Sequence, residues 1–436
     1  MVALLLFITL FILLLLGFPV AFTLAGVSII FGFFTFGLDL FNLLPLRIYG
    51  TMTNYVLISV PLFIYMGVML ERSGIAEKLL NTMALLLGKL RGGLAVAVVL
   101  VGALLAASTG VVGATVVTMG LLSLPAMLKR GYSPALATGT IAASGTLGQI
   151  IPPSVVLVLL GSVMNVSVGD LFMGAVIPGV SLVVLYLLYV IGIAFFRPDL
   201  APAIPDEELK VFRGAGFAKR VLSAFILPMI LVLAVLGAIF AGIASPTEAA
   251  GVGAFMATLL TLLEKRLTLK VLQEVMRETT WLTSMVFIIL VGATAFGLVF
   301  RGIRGDEALI SFIEHLEMSP YGFLAFVMVA IFIAGFFIDF IEIIFIFIPV
   351  VTPIFAKYGM NLMWIAILVS MNLQTSFLTP PFGFSLFYLK GVAPPEVTTN
   401  QMYRGIIPFI LIQIVMLILM ITFPELVTWL PKLMKD

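Results

Sequence analysis

The chain is 436 residues long, 62% hydrophobic and only 10% charged, with a mean hydropathy of +1.26, whereas soluble domains carry roughly 25% charged residues; its solvent is lipid and no separate soluble domain is expected. It has no cysteine and one histidine, His315, which excludes disulfides, iron–sulfur clusters, thiolate zinc and a histidine metal centre. The net charge of +2 gives nucleic-acid binding no support, and in a membrane chain the informative quantity is the sidedness of Lys and Arg.

In chain order, MVALLLFITLFILLLLG lacks the basic flank and small-residue cleavage site of a signal peptide, so a retained first helix is expected near 2–16. Crossings follow near 20–37 and 52–70, then an amphipathic stretch from Ser73 that fits the membrane interface. Residues 92–128 are too long for one helix and are interrupted by Ser108, Thr109 and Gly110, which reads as a re-entrant hairpin. A crossing over 134–164 is broken by GTLGQIIPPSVV, and another spans 171–196. The proline-rich, charged segment Arg197–Arg220 reads as a cytoplasmic linker. Beyond it come crossings near 220–241, 247–263 and 281–300 and a second interfacial stretch from Gly305. A second hairpin over 320–356 is interrupted at Asp339 and Glu342, a second broken crossing spans 361–391 around QTSFLTPPFGFS, and a last crossing lies near 405–423. Ten crossings and two hairpins are expected.

Five positions repeat at one offset. Pro125, Lys129, Gly131, Pro152 and Pro153 recur 228 residues later as Pro353, Lys357, Gly359, Pro380 and Pro381, and Pro19 and Gly26 recur at 227 as Pro246 and Gly253. Such a match points to an internal repeat. Five crossings per half is an odd number, so the second half enters the bilayer inverted. With the N-terminus outside, 17 of the 23 Lys and Arg fall on the inner side, among them Arg72, Lys78, Lys129 and Arg277, and only Arg47, Arg301, Arg304, Lys357, Lys432 and Lys435 lie outside. Both termini are then periplasmic.

Chemistry concentrates at the breaks. A double proline removes two N–H donors and clashes with the preceding turn, which frees carbonyls that are suitable cation ligands. The half-helix that restarts after each pair presents N–H groups near Pro153 and Ser154 or near Pro381, Phe382 and Gly383, an end that holds an anion. Paired breaks in inverted halves are the pattern of a secondary transporter with a midplane site. LLAASTGVVGATVVTMG offers Ser108 and Thr109 to a cation, or packs helices through small residues; both readings stand. Asp339 and Glu342, three residues apart, serve cation or proton coupling or cap the hairpin tip, and capping is the favoured reading. Ser245-Pro246-Thr247-Glu248 has the form of a capping box. His315, Arg301 and Arg304 are expected to be solvated or lipid-facing. No nucleophile–base pair or metal set stands at helical spacing, so the chain reads as a carrier and not an enzyme.

IIPPS, FLTPPFG, LPAMLKRGY and ASPTEAAGVGA together resemble the large membrane subunit of tripartite ATP-independent periplasmic (TRAP) transporters over essentially the whole chain, and NLQTSFLTPPFGFSLFYLKGVAP is most similar to the mannitol, chloroaromatic, 2-oxo acid or lactate branch. The resemblance implies an all-α inverted-repeat elevator of the bacterial inner membrane that takes up a small organic acid with Na⁺. On it, 1–197 is the first repeat (scaffold and arm 1–91, transport part 92–197), 198–219 the linker, and 220–436 the second repeat (scaffold and arm 220–318, transport part 319–424). It implies one Na⁺ site from Ser108 and Thr109 with carbonyls near Ser144, Gly145 and Gly148, and another from Asn372, Thr375 and Thr379 with the tip near Asp339. Gly110, Pro153, Ser154, Pro381, Phe382 and Gly383 would face the substrate. A small membrane subunit of about four helices and a periplasmic solute-binding protein would be its partners, and the alternative is a stand-alone ion-coupled carboxylate symporter of similar design.

Overall fold

The computed structural model describes residues 2–109, 112–204, 217–315 and 317–434, and their side chains except at 108–109, 217–224 and 312–314. Among these residues the chain is all helical. The first half runs α1 (Val2–Leu15), α2 (Val20–Phe36), α3 (Leu40–Met52), α4 (Ser59–Arg72), α5 (Ile75–Leu87), α6 (Gly93–Thr109), α7 (Val112–Lys129), α8 (Pro134–Thr146), α9 (Val155–Met164) and α10 (Val168–Phe196). The second half runs α11 (Phe217–Phe240), α12 (Pro246–Leu263), α13 (Leu269–Gly302), α14 (Gly305–His315), α15 (Pro320–Ala334), α16 (Phe340–Ile346), α17 (Ile348–Lys357), α18 (Leu362–Leu378), α19 (Phe384–Val392), α20 (Thr399–Thr422) and α21 (Glu425–Leu433).

Local sequence explains the boundaries. α12 opens on the expected capping box: Ser245 N–H donates to Glu248 Oε2 at 2.8 Å and Glu248 N–H donates to Ser245 Oγ at 3.3 Å, with Pro246 at the first helical position. α20 opens on a second one, from Thr398 and Gln401. Both hairpins are present. The first is α6 and α7; the second is α15 returning through α16 and α17, which meet at a 52° bend. Both crossings with a proline pair are interrupted, between α8 and α9 and between α18 and α19, and both Pro–Pro bonds are cis.

Seven helices, or eight with the bent pair counted as one, are long and apolar enough to cross a bilayer singly among the described residues. The expected crossings at the proline pairs are made of half-helices, and two helices were not expected at all. α3 carries Pro45 inside it and α21 carries Pro431, and each is short and amphipathic rather than uniformly apolar; α13 also begins twelve residues ahead of its expected start.

The repeat is visible in the packing. α2 packs on α13 and its counterpart α12 packs on α4, while α8 packs on α20 and its counterpart α18 packs on α10. Each element therefore meets a partner from the other half, as a pseudo-two-fold arrangement requires. At the centre lie α8 and α18. Every residue from Leu136 to Thr146 and from Trp364 to Leu378 is buried, which accounts for helices with no polar face. The start of the linker is tied back onto the first half: Ala201 O accepts from Gly92 N–H at 2.8 Å, Leu200 O from Ser133 N–H at 3.0 Å, and Ile204 N–H donates to Gly88 O at 2.8 Å. The linker beyond residue 204 up to 216 lies outside the described residues.

Candidate functional site

The first break is closed by hairpin one. A Cβ on Gly145 would come within 2.4 Å of Val116 Cγ2 on α7, and one on Gly148 within 2.7 Å of Ala106 O on α6. Only glycine admits so close a backbone approach. Ser144 lies opposite Gly102 of α6 in the same seam, its hydroxyl donating to Ile141 O at 3.0 Å. The structure thus brings Ser144, Gly145 and Gly148 against the arms that lead to Ser108 and Thr109, whose side chains, with Gly110, lie outside the described residues. Ser154 is buried as the N-cap of α9, accepting from Leu157 N–H at 3.5 Å and donating to Gln149 O at 2.9 Å, and Pro153 precedes it.

The second break is closed by hairpin two. Gly335, ending α15, would place a Cβ 2.1 Å from Ser376 Oγ, and Asn372 Nδ2 donates to Met328 O at 2.7 Å. Thr375 donates to Met371 O at 2.9 Å and Thr379 to Thr375 O at 2.8 Å, so each hydroxyl keeps lone pairs to offer. At the tip, Asp339 Oδ1 accepts from Phe340 N–H at 2.7 Å and Glu342 Oε2 accepts from Asp339 N–H at 3.1 Å. Both carboxylates serve as the cap of α16, as the favoured reading held. Gly383 caps α19, where a Cβ would meet Phe377 O at 2.8 Å; Phe382 is exposed, and Pro381 O accepts from Tyr403 Oη at 2.9 Å.

The breaks are tied to each other across the molecular axis. Ser370 Oγ donates to Gln149 O at 2.7 Å, Gln374 Nε2 to Thr146 Oγ1 at 3.4 Å, and Ser385 Oγ to Ala142 O at 3.2 Å. Thr146 and Gln374 stand 228 positions apart, so this bond joins equivalent places in the two halves.

Two cavities flank this unit. One, of about 420 Å³, is walled on one side by Glu71, Arg72, Glu278 and Trp281 of α4 and α13; the other side is made by Gly113, Asp339 and further residues beside both hairpin tips and both breaks. Here Arg72 donates through Nε and Nη2 to Glu278 Oε2 at 3.0 and 2.6 Å. Thr118 of α7 donates a short hydrogen bond to Glu71 Oε1, while Glu71 Oε2 is buried without a partner. The other cavity, of about 380 Å³, holds Arg47, Asn54, Ser162, Asn165, Thr294 and Arg301. In it Asn54 Nδ2 donates to Ser162 Oγ at 3.0 Å, joining the α3–α4 joint to α9. Arg301 was expected to face solvent or lipid; it is exposed but turned into this cavity.

The walls of the two cavities are the same surface used twice. Gly50, Asn54 and Leu57 of the second stand 228 positions before Glu278, Leu282 and Met285 of the first, and Ile64 and Arg72 of the first stand 229 before Ala293 and Arg301 of the second. None of Glu71, Arg72, Glu278, Arg47 or Asn54 was singled out from the sequence as a site residue. Carrying the 228 offset through the polar positions of α3, α4 and α13 is the signal that would have found them.

A family model described as the DctM component of tripartite ATP-independent periplasmic transporters matches residues 7–426. The C4-dicarboxylate TRAP transporter large permease protein DctM of Pseudomonas aeruginosa is 31% identical over 400 residues, covering 91% of both chains. The ectoine TRAP transporter large permease protein TeaC of Halomonas elongata is 30% identical with 97% of both covered, and the sialic acid TRAP transporter large permease protein SiaM of Vibrio cholerae is 27% identical over 96% of this chain and 95% of its own. Among solved structures, the YdaH transporter of Alcanivorax borkumensis superposes with a TM-score of 0.65 at 16% identity, covering 94% of this chain and 98% of that one. At that identity the likeness speaks for the fold alone.

Proposed function

The chain belongs to the DctM family of large permease subunits of TRAP transporters, and from that premise we propose that it carries a small organic acid across the bacterial inner membrane, driven by a Na⁺ gradient. The moving unit is the pair of hairpins with the two broken helices they close, residues 92–197 and 319–424; the stationary unit is built on α2, α4, α12 and α13. One observation carries this reading. The 420 Å³ cavity is bounded by α4 and α13 on one side and by residues of α7, α9, α16, α18 and α19 on the other, so a solute bound there touches both hairpins and a half-helix of each broken crossing.

The basic residues orient it. Arg72 and Lys78 gather at one end with their partners Glu278 and Glu264, and the excess of Lys and Arg on that side supports a cytoplasmic placement with both termini periplasmic. The tips lie at the Arg72 end, an inward-open arrangement. Because the opposite wall repeats this one, sliding the hairpin unit along α13 presents the same tips to Arg47 and Arg301, which is alternating access without a second binding site. Na⁺ travels as co-cargo. We assign it the carbonyls around Ser144, Gly145 and Gly148 and the oxygens of Asn372, Thr375 and Thr379, with Ser108, Thr109 and Asp339 at the tips, and we assign the solute's negative group to Gly110, Pro153, Ser154, Pro381, Phe382 and Gly383. The relatives named for C4-dicarboxylates, ectoine and sialic acid share a carboxylate among otherwise different solutes.

The family supports a small membrane subunit and a periplasmic binding protein as partners. Proteoliposomes holding the chain, that subunit and loaded binding protein are expected to accumulate one solute from a panel of succinate, lactate, ectoine and sialic acid only under an inward Na⁺ gradient. Uptake that persists without Na⁺ would overturn the coupling, and uptake by the chain alone would replace the tripartite reading with the stand-alone symporter.

A further inference from the structure

At the inner end the guanidinium of Arg72 is neutralised by Glu278. The repeat places Arg301 where Arg72 stands, 229 positions on, but it places Gly50 where Glu278 stands, 228 positions back. The counter-ion has been deleted while the arginine has been kept. A second arginine, Arg47, stands one turn from Gly50 in the same cavity, and Asn54, Asn165 and Ser162 line it with further donors. Among the described residues neither Arg47 nor Arg301 makes an ion pair, and Arg301 Nε donates only to its own helix, at Gly297 O, 3.1 Å away. Two guanidiniums without a contact ion pair, Arg301 having only the more distant charge of Asp306 near it, face one open cavity and form a seat for a planar anion, since each presents a fork of donors that matches a carboxylate.

We propose that this outer cavity is an acceptor site for the incoming solute, in which Arg301 and Arg47 bind its carboxylate in the place that Glu278 fills at the inner end. The ligand class is a small mono- or dicarboxylate or a zwitterion carrying one. The proposal rests on the transport reading for its direction, because an anion held at the outer mouth is offered to the hairpin tips when they arrive there. At the inner mouth the guanidinium of Arg72 is already held by Glu278, so no arginine is left there to seat the anion. The two ends thus differ in charge although they share a surface.

Two measurements on the full transporter with its partner subunits test this. In the first, Arg47 and Arg301 are labelled with phenylglyoxal and read by peptide mass, with and without succinate, lactate or ectoine. At least one of these is expected to slow labelling of both about tenfold, while Arg304, which pairs with Glu307 at 3.8 Å outside the cavity, labels at an unchanged rate. In the second, uptake KM is compared in proteoliposomes. R301Q and R47Q are each expected to raise the KM on the outer side about tenfold or more, in line with the loss of a charge-assisted hydrogen-bond pair, and to leave the half-saturation for efflux from the inner side unmoved. Gly50→Glu is the sharpest arm. Nothing lies within 4 Å of a Cβ at Gly50, so the side chain starts without a clash, and the glutamate is expected to pair with Arg301 and compete with the solute: KM rises with no loss of thermal stability. Unchanged outer KM in all three variants overturns the site while leaving the transport reading intact. Protection from labelling without any Na⁺-driven uptake keeps the site and overturns the transport reading, and the absence of both overturns both.

Discussion

The Arg72 end and the Arg301 end of the wall built by α3, α4 and α13, inner and outer on the proposed topology, are one structure made twice, and they carry different charge. At the inner end, ionic contacts do structural work: Arg72 is spent on Glu278, and Glu71 reaches across to Thr118 of hairpin one. At the outer end the side-chain bonds between elements are neutral, Asn54 to Ser162 and Thr51 to Thr294 at 3.2 Å, and Arg47 and Arg301 make no ion pair among the described residues. The lesson is that an inverted repeat supplies geometry in duplicate, while charge placed on that geometry makes it directional.

The comparison is breakable by stability measurements ordered along it. Thr118→Val is expected to cost the most, about 2 kcal/mol, because it leaves a buried carboxylate with no partner; thermal unfolding in detergent should show the loss, and Thr118→Ser should restore it. Arg72→Gln is expected to cost about 1 kcal/mol, since its pair with Glu278 is partly exposed and screened by solvent. Asn54→Ala should also cost about 1 kcal/mol, removing both the bond to Ser162 and the cap on Val56 N–H at 3.0 Å. Arg301→Gln should change stability least, by less than about 0.5 kcal/mol. If Arg301→Gln instead unfolds the protein as readily as Arg72→Gln, the arginines at the two ends are equivalent structural groups and the contrast fails.

Much of this architecture was legible in the sequence. Proline and glycine act on the backbone locally, so the repeat, both hairpins, both breaks and the capping boxes at Ser245 and Asp339 announce themselves through residue type and spacing. What stayed hidden is of two kinds. α3 and α21 were missed because each contains a proline and is short; α3 follows α2 as part of one apolar run with most of its side chains exposed, and α21 buries only Val427, Thr428 and Pro431. The cavities were missed because their walls join positions far apart in the chain: Arg47 and Arg301 are separated by more than half its length, and nothing local marks either as facing the other. Arg301 is exposed, as expected; what its local sequence does not show is the cavity that it lines.

One asymmetry between the halves concerns stiffness. In the first half the wall is jointed at Thr53 and Asn54, between α3 and α4, whereas in the second the equivalent wall is the unbroken 34-residue helix α13. Glu278 and Arg301 lie on that one rod, 23 residues apart, which at 1.5 Å per residue is about 35 Å. That is slightly more than the roughly 30 Å of a hydrocarbon core. α13 is therefore a ruler: it sets the separation of the two cavities it walls, and lengthening or shortening it by one turn would shift one of them by about 5.4 Å along the helix relative to the other.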